Sequence, residues 1–589
     1  MSGFTTRPEI VGTLGAVAAT HWLAAQSGMA VLEAGGNAFD ATVAAGFVLH
    51  VVEPHQNGLG GDAVLLCHHA GSDKTFVLCG QGPAPDAATT DAFINLGLAM
   101  VPGVGQLPAV VPGAFGAWLD LLARYGTMRL DQVMQFALTY AEDGYPLPAN
   151  AVEVIATVAS VFSEHWTDSA ALYLPNGEVP KPNARFRNPS LARTLRRLLG
   201  EARAAGHQRE AQIEAAKAAF YKGFVAEEID AFTRHVPVWD GSGEPHTGLL
   251  AYDDLARWQP SEEEPVRLDF RGFTVCKTGP WGQGPVLLQQ LALLDGYDLD
   301  DTTPGSAELV HTVVECAKLA FADRDAFYGD PRYADVPLDA LLSRTYADQR
   351  RVLVGPNAAA ERCPGTPGGR PGRLPYQSDA DAAATNLQSL VPSDRIRSDT
   401  CHVDVVDRFG NLVSATTSGG WLQSTPIMPT LGFGLPTRAQ MFDLHGGPNA
   451  LQPGKRPRTT LSPGLLIRDG SPYLAFGTPG GDQQDQWPLI FLLNHVVYGM
   501  GLQESLDAPV WHTTHLSSSF HPRTVEPRGL HVESRLGGSS LAELRRRGHN
   551  LAVEGPWGNN RTSAAGPADD GLVRAAASPR SMQGYAVGR

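Results

Sequence analysis

The sequence predicts an α+β fold in which two antiparallel sheets lie between layers of helices. Two observations favour this class: helical apolar spacing dominates residues 110–235, and strand-like runs joined by hairpin turns dominate after residue 400. Helices and strands do not alternate as they do in βαβ proteins. Of the 589 residues, 43% are hydrophobic and 18% are charged, a balance typical of a globular protein with a large core.

The N-terminal part predicts helices followed by strands. Residues 15–53 are predicted to form a helical layer of two helices, with the glycines of "EAGGNAFD" ending the first helix. Either Asn37 or Asp40 would begin the second helix. "NGLGGD" (57–62) predicts a glycine-rich turn into a strand, and "KTFVLCG" (74–80) predicts the next strand.

The middle of the chain predicts mainly helices. "VRLDFRGFTVCKTG" (266–279) interrupts them as a predicted strand pair, and long helices follow in 286–296 and 306–329. Four further helices are predicted before that pair, in "AFGAWLDLLARYG" (114–126), "LDQVMQFALTYAEDG" (130–144), "SLARTLRRLLGEARAAG" (190–206) and "FYKGFVAEEIDAFTRH" (220–235).

The chain changes character at residues 355–399, which are rich in Pro, Gly, Ala and Asp and lack apolar periodicity. This composition predicts an exposed, flexible linker. Beyond it, "CHVDVVD" (401–407) and "RFGNLVSATTS" (408–418) predict a hairpin that turns at the FG dipeptide. "GLLIRDGSPYLAFGTPGG" (464–481) predicts further strands, and "SLAELRRRGHNLAVEG" (540–555) predicts a helix and a strand before a last hairpin.

Charge and cysteine usage exclude several classes of protein. The formal net charge is −15 without a long basic run, so we expect no nucleic-acid partner. The apolar segment at 40–54 is too short and too interrupted to span a membrane, and no signal-peptide pattern is visible. The six cysteines are scattered without a CxxC pair, which predicts a reducing compartment and no structural zinc. We therefore expect a cytoplasmic protein.

Thr400 begins the predicted hairpin, and His402 shares its face of the strand. A threonine hydroxyl is a poor nucleophile unless a base removes its proton, and a threonine beside a strand histidine is most often structural. A cut between Asp399 and Thr400 would change this, because the freed α-amine could act as the base for its own hydroxyl. Such an amine titrates at about 7.7–8.0 in model peptides, which suits general-base catalysis near neutral pH.

Two short motifs could complete such a site. The glycines of "TPGG" (478–481) leave backbone N–H groups uncovered, and these can stabilise an oxyanion. The paired threonines of "GKRPRTTLSP" (454–463) could bind substrate or cap a turn. Each motif by itself is more often structural than functional.

Other chemistries have weaker support. "NGLGGD" resembles half of a phosphate-binding loop but lacks the Lys-Ser/Thr that would follow. "HLSSSFH" (515–521) has no nearby acid to complete a metal site, and no GxSxG motif is present. We therefore predict neither a metal nor a cofactor.

Six separated blocks resemble the γ-glutamyltranspeptidase family in their order along the chain. The resemblance implies a four-layer αββα sandwich of the N-terminal-nucleophile hydrolase type, made as a proenzyme that cuts itself before Thr400. The pieces would be a large subunit, residues 1–399, and a small subunit, residues 400–589. The blocks are "THWLAAQSGMAVLEAGGNAFDATVAAGFVLHVVEP", "NGLGGD", "HTVVECAKLAFADRDAFYGDP", "DTCHVDVVDRFGNLVSAT", "PGKRPRTTLSP" and "GTPGGD".

The resemblance also implies roles for individual residues by position. Thr400 resembles the family nucleophile, and Ser418 stands where a second threonine supports its amine. The remaining positions are Gly480 and Gly481 for the oxyanion, Thr459 and Thr460 for the substrate carboxylate, and Asp443 for the substrate α-amine.

Three departures concern the substrate. Gln81 stands where the family has a carboxylate-binding arginine, and Gly420 stands where it has an asparagine. "TRAQMFDL" (437–444) is more similar to a less studied branch of the family, and in that alignment Arg438 rather than Asp443 is the distinctive residue. The Arg438 guanidinium could bind a substrate carboxylate, or it could pair with a structural acid.

The expected function is therefore cleavage of a small amide that bears a carboxylate, through an acyl-enzyme. The same branch is similar to oxamate amidohydrolase. One alternative is a true γ-glutamyltransferase or glutathione hydrolase with a rebuilt carboxylate clamp. A second alternative is an unprocessed binding protein that kept the fold. The expected partners are a small-molecule substrate and the two subunits of one precursor, without a membrane.

Overall fold

The structure, a computed structural model, describes residues 4–375, 400–558 and 560–589. The strands are β1 Ile10–Gly12, β2 Gly15–Ala19, β3 Asp62–His69, β4 Lys74–Gly80, β5 Tyr145–Pro146, β6 Arg185–Phe186, β7 Val238–Trp239, β8 Pro245–His246, β9 Ser261–Glu263, β10 Val266–Phe270, β11 Phe273–Lys277, β12 Thr400–Asp407, β13 Leu412–Ser418, β14 Gly464–Arg468, β15 Ser471–Gly477, β16 Trp511–Thr513, β17 Gly529–Glu533, β18 Asn550–Glu554, β19 Ser563–Pro567, β20 Val573–Ala577 and β21 Tyr585–Gly588. The helices are α1 Trp22–Glu33, α2 Ala38–Val52, α3 Thr90–Ile94, α4 Ala114–Tyr125, α5 Leu130–Asp143, α6 Ala149–Glu164, α7 Thr167–Tyr173, α8 Pro189–Ala204, α9 Arg209–Tyr221, α10 Phe224–His235, α11 Tyr252–Ala256, α12 Gly284–Leu294, α13 Ala307–Phe327, α14 Leu338–Leu341, α15 Arg344–Arg351, α16 Trp487–Leu492, α17 Leu502–Asp507 and α18 Gly538–Arg546.

Two seven-stranded antiparallel sheets form the centre of the fold. Their strand orders are β1-β20-β19-β15-β14-β11-β10 and β21-β2-β12-β13-β3-β4-β9. Small side chains such as Ala18, Ala475 and Ala575 fill the space between the sheets, which allows close packing. Helices α1, α2 and α4 cover the outer face of the second sheet, and α12, α13 and α16 cover the outer face of the first. The predicted αββα sandwich is confirmed.

The predicted helical layer at 15–53 is partly wrong, because Gly15–Ala19 is strand β2. Its short apolar run is compatible with either a helix or a strand, and pairing with β12 and β21 decides between them. Both predicted helices are present as α1 and α2. Asn37 caps α2, and the Asp40 carboxylate accepts the Asn37 N–H at 2.9 Å, so the two alternatives form one capping box.

Two other helical predictions needed correction. The single helix predicted at 220–235 is two, because α9 ends at Tyr221 and α10 begins at Phe224, on either side of Gly223. Helix α6 was missed altogether. A small third sheet, β16-β17-β18, contains a parallel pair, β17 with β18, that the sequence analysis did not anticipate.

Residues 355–375 are the described part of the predicted linker, and they form little regular structure. They nevertheless contact the folded body at defined points. The N–H of Ala358 donates to the Arg547 carbonyl at 2.8 Å, and the N–H of Gly365 donates to an Asp323 carboxylate oxygen at 2.8 Å. The remainder of the segment, including Asp399, lies outside the described residues.

The predicted large and small subunits contribute strands to both central sheets. Strands β12, β13 and β21 of the small subunit lie beside β2 and β3 of the large subunit, and β14 pairs with β11 in the other sheet. A cut before Thr400 would therefore leave two interwoven chains sharing one core. Across the described ranges, no helix is long and apolar enough to cross a bilayer.

Candidate active site

Thr400 and Ser418 lie opposite each other at the ends of β12 and β13. Their hydroxyl oxygens are 3.2 Å apart, within hydrogen-bond distance, and both residues are fully buried. The register of the hairpin produces this contact, because each residue ends its strand at the same edge of the sheet. The pairing matches the two positions that the family resemblance indicated.

His402 is not available as a base for Thr400. It faces the first sheet, where Gly477 lies against its ring, but its Nδ1 lies 2.8 Å from the Thr416 hydroxyl and its Nε2 lies 2.9 Å from an Asp404 carboxylate oxygen. Both ring nitrogens therefore have partners inside the sheet sandwich. A side chain at Gly477 would place its Cβ 2.3 Å from the ring, so glycine allows the two sheets to approach here.

Gly480 and Gly481 follow the end of β15, in the loop beyond Gly477. Because Gly477 contacts the ring of His402, this loop leaves the sheet close to the Thr400 end of β12. Gly480 has φ 124° and Gly481 has φ 57°, a left-handed region that favours glycine. A Cβ on Gly480 would lie 2.5 Å from the Trp487 ring. The "TPGG" turn therefore presents bare backbone at this edge.

Gln81, Thr459 and Thr460 lie together. The Gln81 side-chain amide donates to the carbonyl of Pro457, two residues before the paired threonines. The threonine segment in turn lies against the residues that follow the "TPGG" loop, because the N–H of Ser462 donates to the Gln484 side chain at 3.1 Å. Two buried polar atoms, the Gln81 Oε1 and the Thr460 hydroxyl, have no hydrogen-bond partner among the described residues. Such atoms are costly in an interior and favour a ligand-binding role.

Arg438 forms a buried ion pair with Asp62. Its Nε and Nη2 donate to the two carboxylate oxygens at 2.9 and 3.1 Å, and both side chains are fully buried. Burial raises the pKa of Asp62, and the guanidinium opposes this effect. Arg438 Nη1 has no partner within the described ranges. The pairing alternative of the sequence analysis is thus observed, and one donor remains for the binding alternative.

Asp62 is the last residue of the "NGLGGD" turn, whose role is structural. A Cβ on Gly60 would lie 2.2 Å from the Gly434 carbonyl oxygen, and a Cβ on Gly61 would lie 2.1 Å from the Ser418 carbonyl oxygen. These glycines let the turn pack directly against the backbone around Ser418. The sequence analysis missed Asp62 as the partner of Arg438.

Gly420 occupies a position that favours glycine for a local reason. Its φ is 66°, and a Cβ would lie 3.2 Å from both the Gly434 carbonyl oxygen and the Gly61 N–H nitrogen. Replacing the family asparagine by glycine at this position therefore removes a side chain and also allows a backbone conformation and a close approach that favour glycine.

Asp443 lies apart from these groups. Its carboxylate pairs with Arg523, whose guanidinium also donates to the carbonyl of Phe442. Asp443 lines a cavity of about 510 Å³ together with Arg370 and His445, and this lining does not include Thr400. The two alignments of residues 437–444 thus point to two different places. Arg438 lies beside Asp62, and Asp443 lies beside Arg523 at the cavity.

Arg561, which the sequence analysis missed, contacts the nucleophile candidate from behind and is itself paired with Glu53. The Arg561 Nη2 donates to the Thr400 carbonyl oxygen at 3.3 Å, and its Nη1 lies 3.6 Å from a Glu53 carboxylate oxygen. Arg561 lies 161 residues from Thr400 along the chain, so no local pattern could indicate the contact.

His311, Glu315 and His549 form a buried cluster whose potential ligand atoms lie within 4.8 Å of one another. The two imidazoles hydrogen-bond each other at 2.9 Å. The Lys318 ammonium lies 2.6 Å from the Glu315 carboxylate and so supplies the positive charge beside it. These contacts join α13 to the residue before β18, and His549 Nδ1 has no hydrogen-bond partner among the described residues.

Comparison with known proteins identifies the family of this chain. The family model for γ-glutamyltranspeptidase matches residues 24–588. The glutathione hydrolase-like YwrD proenzyme of Bacillus subtilis is 30% identical over 588 residues, covering 98% of this chain and 99% of the relative. The oxamate amidohydrolase proenzyme of Klebsiella pneumoniae is 30% identical over 591 residues, with the same coverage.

A solved structure titled "Structure of LmbA2991T421A" superposes with a TM-score of 0.95 at 52% identity over the full length of both chains. The family match and this superposition both extend over nearly the whole chain. The chain belongs to the γ-glutamyltranspeptidase family, and it is a self-processing amidohydrolase of the N-terminal-nucleophile type.

Proposed function

We propose that the precursor cuts itself between Asp399 and Thr400, and that Thr400 then cleaves the amide bond of a small substrate bearing a carboxylate. The observation that carries this proposal is the placement of Thr400. It is the first residue of a central strand, and its hydroxyl lies 3.2 Å from the Ser418 hydroxyl. The nearby His402 is bound to other groups, which leaves the α-amine created by the cut as the base.

The chemistry follows from these positions. The α-amine takes the proton of the Thr400 hydroxyl as its oxygen forms a bond to the amide carbonyl carbon. Backbone N–H groups at Gly480 and Gly481 stabilise the resulting oxyanion. The C–N bond then breaks, the proton passes to the departing amine, and an ester remains on Thr400. Water attacks that ester with the same amine as base, which releases the acid and restores the hydroxyl.

Arg438 is the proposed contact for the substrate carboxylate. Its Nη1 is buried without a partner in the described ranges, and Asp62 accepts hydrogen bonds from the other two nitrogens of the guanidinium. Asp62 in β3 lies opposite Ser418 in β13, and Ser418 lies opposite Thr400 in β12. Arg438 therefore binds an acid in the same row of the sheet as Thr400. The Trp421 ring lies 4.9 Å from the guanidinium carbon and packs against Phe520.

A true γ-glutamyltransferase or glutathione hydrolase has less support. Thr459 and Thr460 match the family's carboxylate contacts, but Gln81 offers no positive charge and the turn at Gly420 lacks the asparagine. The Klebsiella pneumoniae relative, named for oxamate, supports a small substrate carrying a carboxylate. The cytoplasmic location and a part in glutathione metabolism both remain predictions.

Mass spectrometry of the purified protein tests the first step. We expect polypeptides of 399 and 190 residues, with Thr400 as a new N-terminus, and a single 589-residue chain for Thr400→Ala. Incubating the processed protein with small acid amides should then add an acyl mass to the 190-residue piece. A wild-type chain that stays intact would contradict the proposal. Acylation of a residue other than Thr400 would contradict it as well.

A further inference from the structure

A buried charged cluster lies behind the main chain of Thr400. Arg561, from the loop before β19, donates through Nη2 to the Thr400 carbonyl oxygen at 3.3 Å and to the Gln56 side-chain oxygen at 2.5 Å. Its Nη1 lies 3.6 Å from the Glu53 Oε1. Arg561 is 5% exposed and Glu53 is fully buried, so solvent screens these charges weakly.

Glu53 is held in place from its other side. Its Oε2 accepts a hydrogen bond from the Thr20 hydroxyl at 2.8 Å and from the Cys401 thiol at 3.0 Å. The carboxylate is therefore fixed with Oε1 towards Arg561. Glu53 and Gln56 belong to the predicted large subunit, whereas Arg561 and Thr400 belong to the small subunit, so the cluster joins the two pieces at the nucleophile.

We infer that Arg561, balanced by Glu53, is a positioning residue that holds the first residue of the small subunit and sets the protonation of its α-amine. The inference rests on the proposed function, since it requires the cut before Thr400. Control of the α-amine is a role that neither the Ser418 hydroxyl nor the glycines at 480 and 481 provide.

The physical basis is the closeness of carbonyl and amine within one residue. The N and O atoms of a residue are at most about 3.6 Å apart because of bond lengths and angles. A guanidinium bound to the Thr400 carbonyl therefore stays within about 7 Å of the amine. A like charge at that distance in a buried site disfavours the ammonium form and lowers its pKa by on the order of one unit. The Glu53 carboxylate, which pairs with Arg561, offsets part of this effect.

Within residues 4–375, 400–558 and 560–589, the other titratable groups around the start of β12 are neutral or paired. Burial lowers the pKa of His21 to about 3 and that of His55 well below its usual value, so both are neutral near pH 7. Burial likewise raises the pKa of the Cys401 thiol, which stays protonated. The remaining groups occur as pairs, namely Asp62 with Arg438 and His402 with Asp404. Arg561 and Glu53 are thus the charges that bear on the amine through the main chain of Thr400.

The test is the pH dependence of kcat/KM for fully cleaved protein, whose acidic limb reports the free amine. Arg561→Gln retains a donor for the Thr400 carbonyl but removes the charge, so we expect the limb to move up by about one pH unit. Glu53→Gln leaves the arginine uncompensated, and the limb should move down. Arg561→Lys keeps the charge but not the planar fork, so kcat should fall while the limb stays near that of the parent.

Arg574→Gln, in β20 beside Glu9, is the matched control and should leave the profile unchanged. Superimposed profiles for the parent, Arg561→Gln and Glu53→Gln would overturn the inference, and the proposed function would still stand because the parent is cleaved and active. If Arg561→Gln is not cleaved, Glu53→Gln decides: a downward shift supports the inference, and an unchanged or upward shift refutes it. Failure of the parent itself to cleave would instead reject the proposed function.

Discussion

Arg438 and Asp62 form a two-contact ion pair that is completely buried, although 376 residues separate them in the chain. Breaking such a pair by removing one partner generally costs about 3–5 kcal/mol, because an uncompensated charge stays buried. The pair therefore has a structural role. The Arg438 Nη1 has no hydrogen-bond partner in the part of the chain that the structure describes, a feature that a purely structural arginine would not need.

Arg438→Lys should separate these two roles. Lysine keeps a positive charge near Asp62. Its single ammonium group cannot bind both carboxylate oxygens of Asp62 and at the same time bind a substrate carboxylate, as the planar guanidinium can. We expect turnover of a carboxylate-bearing amide to fall at least about 100-fold, which corresponds to losing a charge-assisted contact of roughly 3 kcal/mol. Turnover of the matching methyl ester should fall much less. Equal losses for both substrates would show that Arg438 acts through the fold alone.

Ser418→Ala should lower the rate without changing substrate affinity. It removes the hydroxyl 3.2 Å from the Thr400 hydroxyl, inside a fully buried site. Losing one such hydrogen bond typically costs about 1–2 kcal/mol, or roughly 10-fold in kcat. Ser418→Thr keeps the hydroxyl and should retain most activity. Steady-state kinetics on cleaved protein measure this, and a change confined to KM would argue against the proposed role.

Gly420→Asn should not restore activity on a γ-glutamyl anilide. Asparagine tolerates a positive φ better than most residues, but its Cβ would lie 3.2 Å from backbone atoms of Gly434 and Gly61. We expect a loss of about 1–2 kcal/mol in the free energy of unfolding, measured by urea denaturation. Gain of anilide turnover without loss of stability would mean that only the side chain was missing.

Buried histidines should make the protein acid-sensitive. Burial lowers the pKa of His50 to about 3, and its Nε2 accepts the Trp118 indole N–H at 2.8 Å. Between about pH 3 and 6.5 the unfolded chain binds a proton here that the folded chain does not, so stability falls as the pH is lowered through that window. Each pH unit costs about 1.4 kcal/mol for this group while the difference lasts.

His50→Gln tests that linkage. The variant should be less stable at pH 7, because the partner of Trp118 changes, but its stability should fall less steeply between pH 6 and 4. Urea denaturation at several pH values measures the slope. His207→Gln, at an exposed position, is the control and should leave the slope as in the parent. A His50→Gln slope equal to that of the parent would contradict the assigned cause.

Much of the fold could be predicted because its signals are local. The β12–β13 hairpin, the caps of α2 and the strand of "LAFG" before "TPGG" follow from side-chain periodicity and turn residues. The strand Gly15–Ala19 was mistaken for helix because a run of small apolar residues has no diagnostic period. Its partners, β12 and β21, lie hundreds of residues further along the chain, at Thr400–Asp407 and Tyr585–Gly588.

The sequence by itself determined the family, the four-layer class and the position of the hairpin that begins with Thr400. These features depend on the order of motifs and on patterns within a few residues, which can be recognised without knowing how the chain packs. Only the tertiary structure decided that Arg438 pairs with Asp62, that Asp404 and Thr416 occupy His402, and that Arg561 holds the Thr400 carbonyl. Hydrogen bonds and ion pairs act over a few ångströms, so their partners are set by how distant segments pack together.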